Sequence, residues 1–181
     1  MCLVLQPTAV GVVCHATAVA GPAALVTSQE THMYDEFVGA RSEATPNWVE
    51  RGAVRRFAEA IGDANPLYTD VDAAKRGWDG RMMAPLTFPI TFDHGEIPGL
   101  ALPPAGLIHG QQSFDYTRPL YVGEAVSCYQ QLESSYDRRG GQGLMTFLVF
   151  KSVGMDEAGA TIYTMSATLI VTEAVRGKVP A

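Results

Sequence analysis

The sequence predicts an α+β domain in which a curved antiparallel sheet wraps around a long central helix. Three observations carry that expectation. Val54, Phe57, Ala58 and Ile61 recur at the spacing of one apolar helix face, with Arg51, Arg55, Arg56 and Glu59 on the other. From residue 107 to about 174 the chain reads as consecutive strands, rich in Thr, Val, Ile and aromatics. The run "RRGGQG" between two of those segments is a hairpin signal, because its glycines can take positive φ.

Taken in order, a strand is expected near 37–49 and the amphipathic helix at about 50–61. Gly62 stands where a left-handed glycine ends a helix. Asn65 as N-cap and Pro66 as first helical residue then start a second helix, about 66–76, which Gly77 stops. Pro85 and Pro89 argue against a strand in "MMAPLTFPITF", so a loop, a short helix at about 86–95 and the Pro-rich loop "PGLALPPAG" are expected. In "LIHGQQSFDYTRPL" strict alternation puts Ile108, Gly110, Gln112, Phe114 and Tyr116 on one face, while Gly110 itself signals a bulge or a close backbone approach. The strands "EAVSCYQQLESSYD", "LMTFLVFKSVGM" and "ATIYTMSATLIVTEA" complete the sheet.

Residues 33–175 are thus expected to form one domain, followed by a frayed tail at 176–181. Residues 1–32 contain no Lys or Arg, and polar, Gly and Pro residues interrupt their apolar runs. They are expected to be a loose extension, with Met33 as an alternative start.

With 47% hydrophobic and 18% charged residues the chain matches ordinary globular composition. Its net charge of −6, without a basic stripe, disfavours nucleic acid or an anionic membrane as partner. Cys2, Cys14 and Cys128 have no metal-ligand spacing and suit a reducing cytoplasm. Asp70, Asp72 and Asp79 have no companions for a cation site. No metal and no cofactor are expected.

The stretches "FAEAIGDANPLY", "APLTF" and "HGQQSFDYTRPLYVGE", in that order over roughly residues 36–174, resemble the MaoC-like dehydratase family. The resemblance is to its N-terminal-domain branch, similar to the dehydratase domain of fungal-type fatty-acid synthase. It implies a hotdog fold that pairs into a double hotdog. It also implies acyl thioesters of coenzyme A or acyl carrier protein as substrates, and reversible hydration of a 2-enoyl thioester to a (3R)-hydroxyacyl thioester. In catalytic members an Asp and a His of an Asp-x-Asn-Pro-apolar-His stretch activate water, and a Gly N–H polarises the carbonyl. That logic is general: water addition builds charge on the carbonyl oxygen, and the water needs a base of near-neutral pKa.

Carried over, the resemblance gives Asp63 the role of the acid and places Asn65, Pro66 and Leu67 in the turn. The His position holds Tyr68, a poor base at neutral pH. The Gly position aligns with Pro89, which has no N–H to offer. Asp63, Tyr68 and His109 are the candidate catalytic residues, with His109 a replacement base from another direction. Asn65, Met83, Pro85, Thr87 and Phe88 are the candidate substrate-binding residues. A bland reading stands beside each: turn chemistry for Asp63 and Asn65, a packed aromatic for Tyr68, a strand histidine for His109, a solvated loop residue for His94, a structural ion pair for Arg118. The functional expectation is an acyl-thioester-binding protein of (R)-specific enoyl-CoA hydratase or 3-hydroxyacyl dehydratase type. It would be a substrate-binding subunit or a divergent hydratase, weak alone. Its partner would be a second copy or a catalytic MaoC-like subunit. A hotdog thioesterase and a non-enzymatic acyl-CoA binding module are the alternatives.

Overall fold

A computed structural model describes residues 33–77, 79–141, 143–176 and 178. The expectation for residues 1–32 lies outside them. Five antiparallel strands form one sheet: β1 (Thr45–Trp48), β2 (Leu107–Tyr116), β3 (Ala125–Gly140), β4 (Gly143–Met155) and β5 (Thr161–Thr172). Their spatial order is β1-β3-β4-β5-β2, so β1 and β2 are the edges.

The helix α1 (Arg51–Ala60) buries Val54 and Ala58 against the inner face of the sheet, beside Val126, Cys128, Ile162, Tyr163 and Met165. Sinking the Val54 side chain contributes about 2 kcal/mol. Its end is a Schellman motif: Asp63 N–H donates to the Ala58 carbonyl and Gly62 N–H to that of Glu59. Gly62 takes φ +70°, which a side chain would resist.

Several expectations need correcting. The single helix at 66–76 is two, α2 (Pro66–Thr69) and α3 (Val71–Arg76), because Asp70 accepts from the N–H groups of Asp72 and Ala73 and starts a new helix. The helix expected at 86–95 is only a 3-10 turn, Phe88–Thr91. The early strand covers 45–48, with one isolated bridge from Arg41 to Gln131. Beyond β5 the chain continues through Val175 and Arg176 in regular structure. They belong to the short helix α4 (Glu173–Arg176), Val175 is buried, and Arg176 pairs with Asp137 at 2.9 Å.

The most consequential correction is in β2. The register to β5 slips between His109 and Gln111, so Gly110 is the bulged residue. The alternation inverts there. Leu107 and His109 lie opposite Val171 and Leu169; beyond the bulge, Gln112, Phe114 and Tyr116 lie opposite Ala167, Met165 and Tyr163. Strict alternation assigns Ile108 to the face of Phe114, yet the bulge turns it outward, where it is 49% exposed. His109 moves onto the inner row instead.

On the inner face the strands align as rows across the sheet. Cys128, Gly154, Tyr163 and Tyr116 form one. Gln130, Ser152, Met165 and Phe114 form the next, and Leu132, Phe150, Ala167 and Gln112 the third. α1 covers the first row; the segment 94–102 lies over the β3, β4 and β5 residues of the others, and the β2 residues Gln112 and Phe114 line a separate cleft.

Candidate functional site

The motif turn is closed by local hydrogen bonds. Asp63 Oδ1 accepts from the Asn65 N–H at 3.1 Å, and Asn65 Oδ1 accepts from the Leu67 N–H at 3.0 Å. Both are Asx geometry of the kind the turn reading requires. Tyr68 then packs partly buried against the core under α1. Its hydroxyl lies in the field of Asp63, near the Asn65 side chain. Burial first, and the Asp63 charge second, push the Tyr68 pKa above the ordinary tyrosine value, against the opposing pull of the Asn65 side chain. Tyr68 is therefore a neutral hydroxyl at physiological pH, able to donate a hydrogen bond and unable to take a proton.

His109 belongs to a cleft that the turn does not line. Together with Thr87, Ile90, Gln112, Phe114 and Met165 it lines an open cleft of about 720 Å³ beside the edge strand β2; Asp63 and Tyr68 do not line it. Pro85 and Phe88 are buried, so a ligand in the cleft meets Thr87 and not them. Their effect is positional. Phe88 makes edge-to-face contacts with Phe57 of α1 and with Phe92, each at 5.5 Å, which fixes the 3-10 turn that presents Thr87 and Ile90. The Leu86 carbonyl accepts from the Tyr116 hydroxyl at 2.7 Å, tying that turn to β2. Met83 forms a bridge with Tyr121 and its N–H donates to the Leu67 carbonyl, outside the cleft. Pro89 is buried within the turn.

Sequence reasoning missed a second polar cluster. The His94 ring contacts the Tyr163 hydroxyl at 3.2 Å, and that hydroxyl contacts Cys128 Sγ at 3.2 Å. His94 is not simply solvated: burial holds its pKa below the usual histidine value, outweighing a bond to the Phe92 backbone and the Asp93 charge. Burial likewise pushes the Cys128 thiol up to about 11, so it is an inert, protonated group. A consistent chain runs from the thiol to the tyrosine oxygen and from its O–H to a neutral imidazole. Gly154 makes it possible, since a Cβ there would lie 2.1 Å from the Tyr163 ring. Asn47 completes the anchoring of this segment, exchanging hydrogen bonds with the backbone of Asp93. Arg118 is an ion-pair residue, 2.9 Å from Glu124 and 3.5 Å from Asp156. Among the described residues no group of three or more His, Cys, Asp or Glu is arranged to hold a metal ion, and no helix is long and apolar enough to cross a membrane.

Residues 36–165 match the family model described as FAS1-like, dehydratase domain region. The chain belongs to that family. A UPF0336 protein of Streptomyces coelicolor is 36% identical to it over 131 residues, 69% of this chain and 85% of the relative. Proteins of known structure share the architecture. A chain of the C-terminally truncated HadBC (3R-hydroxyacyl-ACP dehydratase) complex of Mycobacterium tuberculosis superposes with TM-score 0.61 at 20% identity, covering 75% of this chain and 97% of that one. The (R)-hydratase of A. caviae involved in PHA biosynthesis gives 0.58 at 20% identity, covering 78% and 98%. The fold is therefore the hotdog fold, and the family model is that of a dehydratase domain region.

Proposed function

We propose that this protein binds acyl thioesters for (R)-specific enoyl hydration or 3-hydroxyacyl dehydration in the cytoplasm, as the substrate-holding half of a double hotdog whose other half supplies the base. One observation carries the reading: beside Asp63, where the reaction needs an imidazole, stands a tyrosine whose pKa is raised. The chemistry agrees at two further points. Asp63 spends an oxygen on its own turn. The turn that would aim a backbone N–H at the carbonyl contains Pro89, which has none.

Pairing is supported by the free edge of β2, where Leu86, Ile90 and Ile108 are 63%, 53% and 49% exposed beside an open cleft. A second hotdog against that edge would cover these side chains and close the cleft.

The test is hydratase activity on crotonyl-CoA, measured for the chain alone and after co-purification with a MaoC-like subunit that retains the Asp/His pair. The chain alone is expected to be inactive or nearly so. Robust activity of the isolated chain, abolished by Asp63→Ala and retained by Tyr68→Phe, overturns the proposal and makes the protein a divergent hydratase.

A further inference from the structure

A second cavity lies under the segment 94–102. It holds about 380 Å³ and is lined by Ile97, Leu100 and Leu102 from that segment and by Gln130, Phe150 and Ser152 from the sheet. It shares one lining residue with the open cleft, Met165.

The register explains why. On β5, Met165 lies opposite Phe114 of the cleft on one side and opposite Ser152 of the chamber on the other. Two residues on, Ala167 lies between Gln112 of the cleft and Phe150 of the chamber. Leu169 follows, between His109 and Leu148. β5 is thus the ridge between the two cavities, with large side chains at Met165 and Leu169 and a single methyl at Ala167. Ala167 is the low point. From the cleft strand β2 to the chamber strand β4 the span is two strand spacings, about 10 Å. Beyond the ridge, Gln130 and Ser152 are cross-strand partners on the chamber floor. Gln130 commits its amide N–H group to the Gly95 carbonyl, which holds the roof down over the chamber.

We infer that cleft and chamber form one two-compartment acyl site: the thioester end lies in the cleft, the chain crosses the ridge over Ala167, and its tail carries a hydroxyl or carbonyl that bonds to Ser152 and Gln130. Ala167 and Met165 are then specificity-determining residues, selecting chains long enough to cross and polar at the far end. The inference rests on the acyl-thioester reading above and adds to it the length and the polarity of the chain.

Calorimetric titration of the full-length chain with butyryl-CoA, decanoyl-CoA and 10-hydroxydecanoyl-CoA tests it. The hydroxylated chain is expected to bind about fivefold more tightly than decanoyl-CoA, an advantage lost in Ser152→Ala. Ala167→Phe is expected to weaken both ten-carbon ligands about tenfold while leaving butyryl-CoA within about twofold. Leu102→Trp fills the chamber from its roof and gives the same pattern should Ala167→Phe fail to fold. Equal effects on short and long chains, or no preference for the hydroxylated tail, overturn the two-compartment site alone. Failure of all three thioesters to bind overturns the acyl-thioester reading with it.

Discussion

The turn at 62–68 and the inner face of the sheet are built on opposite plans. In the turn, the side-chain bonds of Asp63 and Asn65 reach only two residues along the chain. On the inner face, His94 and Tyr163 meet across 69 residues and Cys128 and Tyr163 across 35. The turn carries the residues that look catalytic, and those residues are occupied with their own backbone. The inner face draws its residues from segments far apart in the chain, only one of them in a family motif, and two cavities open on it. A stretch can keep the grammar of a site because the grammar also makes a turn. A site can likewise exist without grammar, where the register of the strands assembles it.

Substitutions separate the two plans, and the largest effect is expected on the sheet. Gly154→Ala drives a methyl into the Tyr163 ring, in a row with Cys128 on the far side and no slack. It should cost about 3 kcal/mol, read as a lowered urea midpoint at unchanged slope. Tyr163→Phe removes the hydroxyl between His94 and Cys128 and leaves the imidazole without its partner, for about 1.5 kcal/mol by the same measurement.

The turn should be more tolerant. Asn65→Ala removes one cap bond from a four-residue helix, for about 1 kcal/mol. If Asn65→Ala proves the most damaging of the three, the turn is more than local structure.

The smallest effect is a pH slope. His94 is held neutral in the fold, and its ordinary value of about 6.5 returns on unfolding. Below about 6.5 the unfolded chain binds the extra proton, so its contribution to stability is complete above that pH and shrinks as pH falls toward the folded value. Thermal melts from pH 7.5 to 5.5 should show Tm falling, and His94→Gln should flatten that fall. An unchanged slope would mean that His94 is not buried in solution.

Much of the fold was legible before the structure. The 3.6-residue spacing of Val54, Phe57, Ala58 and Ile61 and the glycine after it mark α1 because a helix end is a local event. The four later strands are equally clear from their composition. The bulge was visible as Gly110, but its consequence was not: one extra residue inverts every side chain on one side of it, and that is known only once β5 is laid alongside. His109 was found as a lone histidine, and the bulge decides that it faces the cleft. Met165 and Ala167 gave no signal at all, since a methionine and an alanine in a strand are ordinary core residues until two cavities flank them.

The sequence by itself determined the hotdog class and the family, and set Tyr68 and Pro89 at the positions where the resemblance implies a base and an N–H donor, because each depends on residue identity and short spacing. The tertiary structure alone decided that His109 lines a cleft which Tyr68 does not, that His94, Tyr163 and Cys128 are one cluster, and that β5 divides two cavities. Those relations depend on strand register, and register is set by packing between segments far apart in the chain.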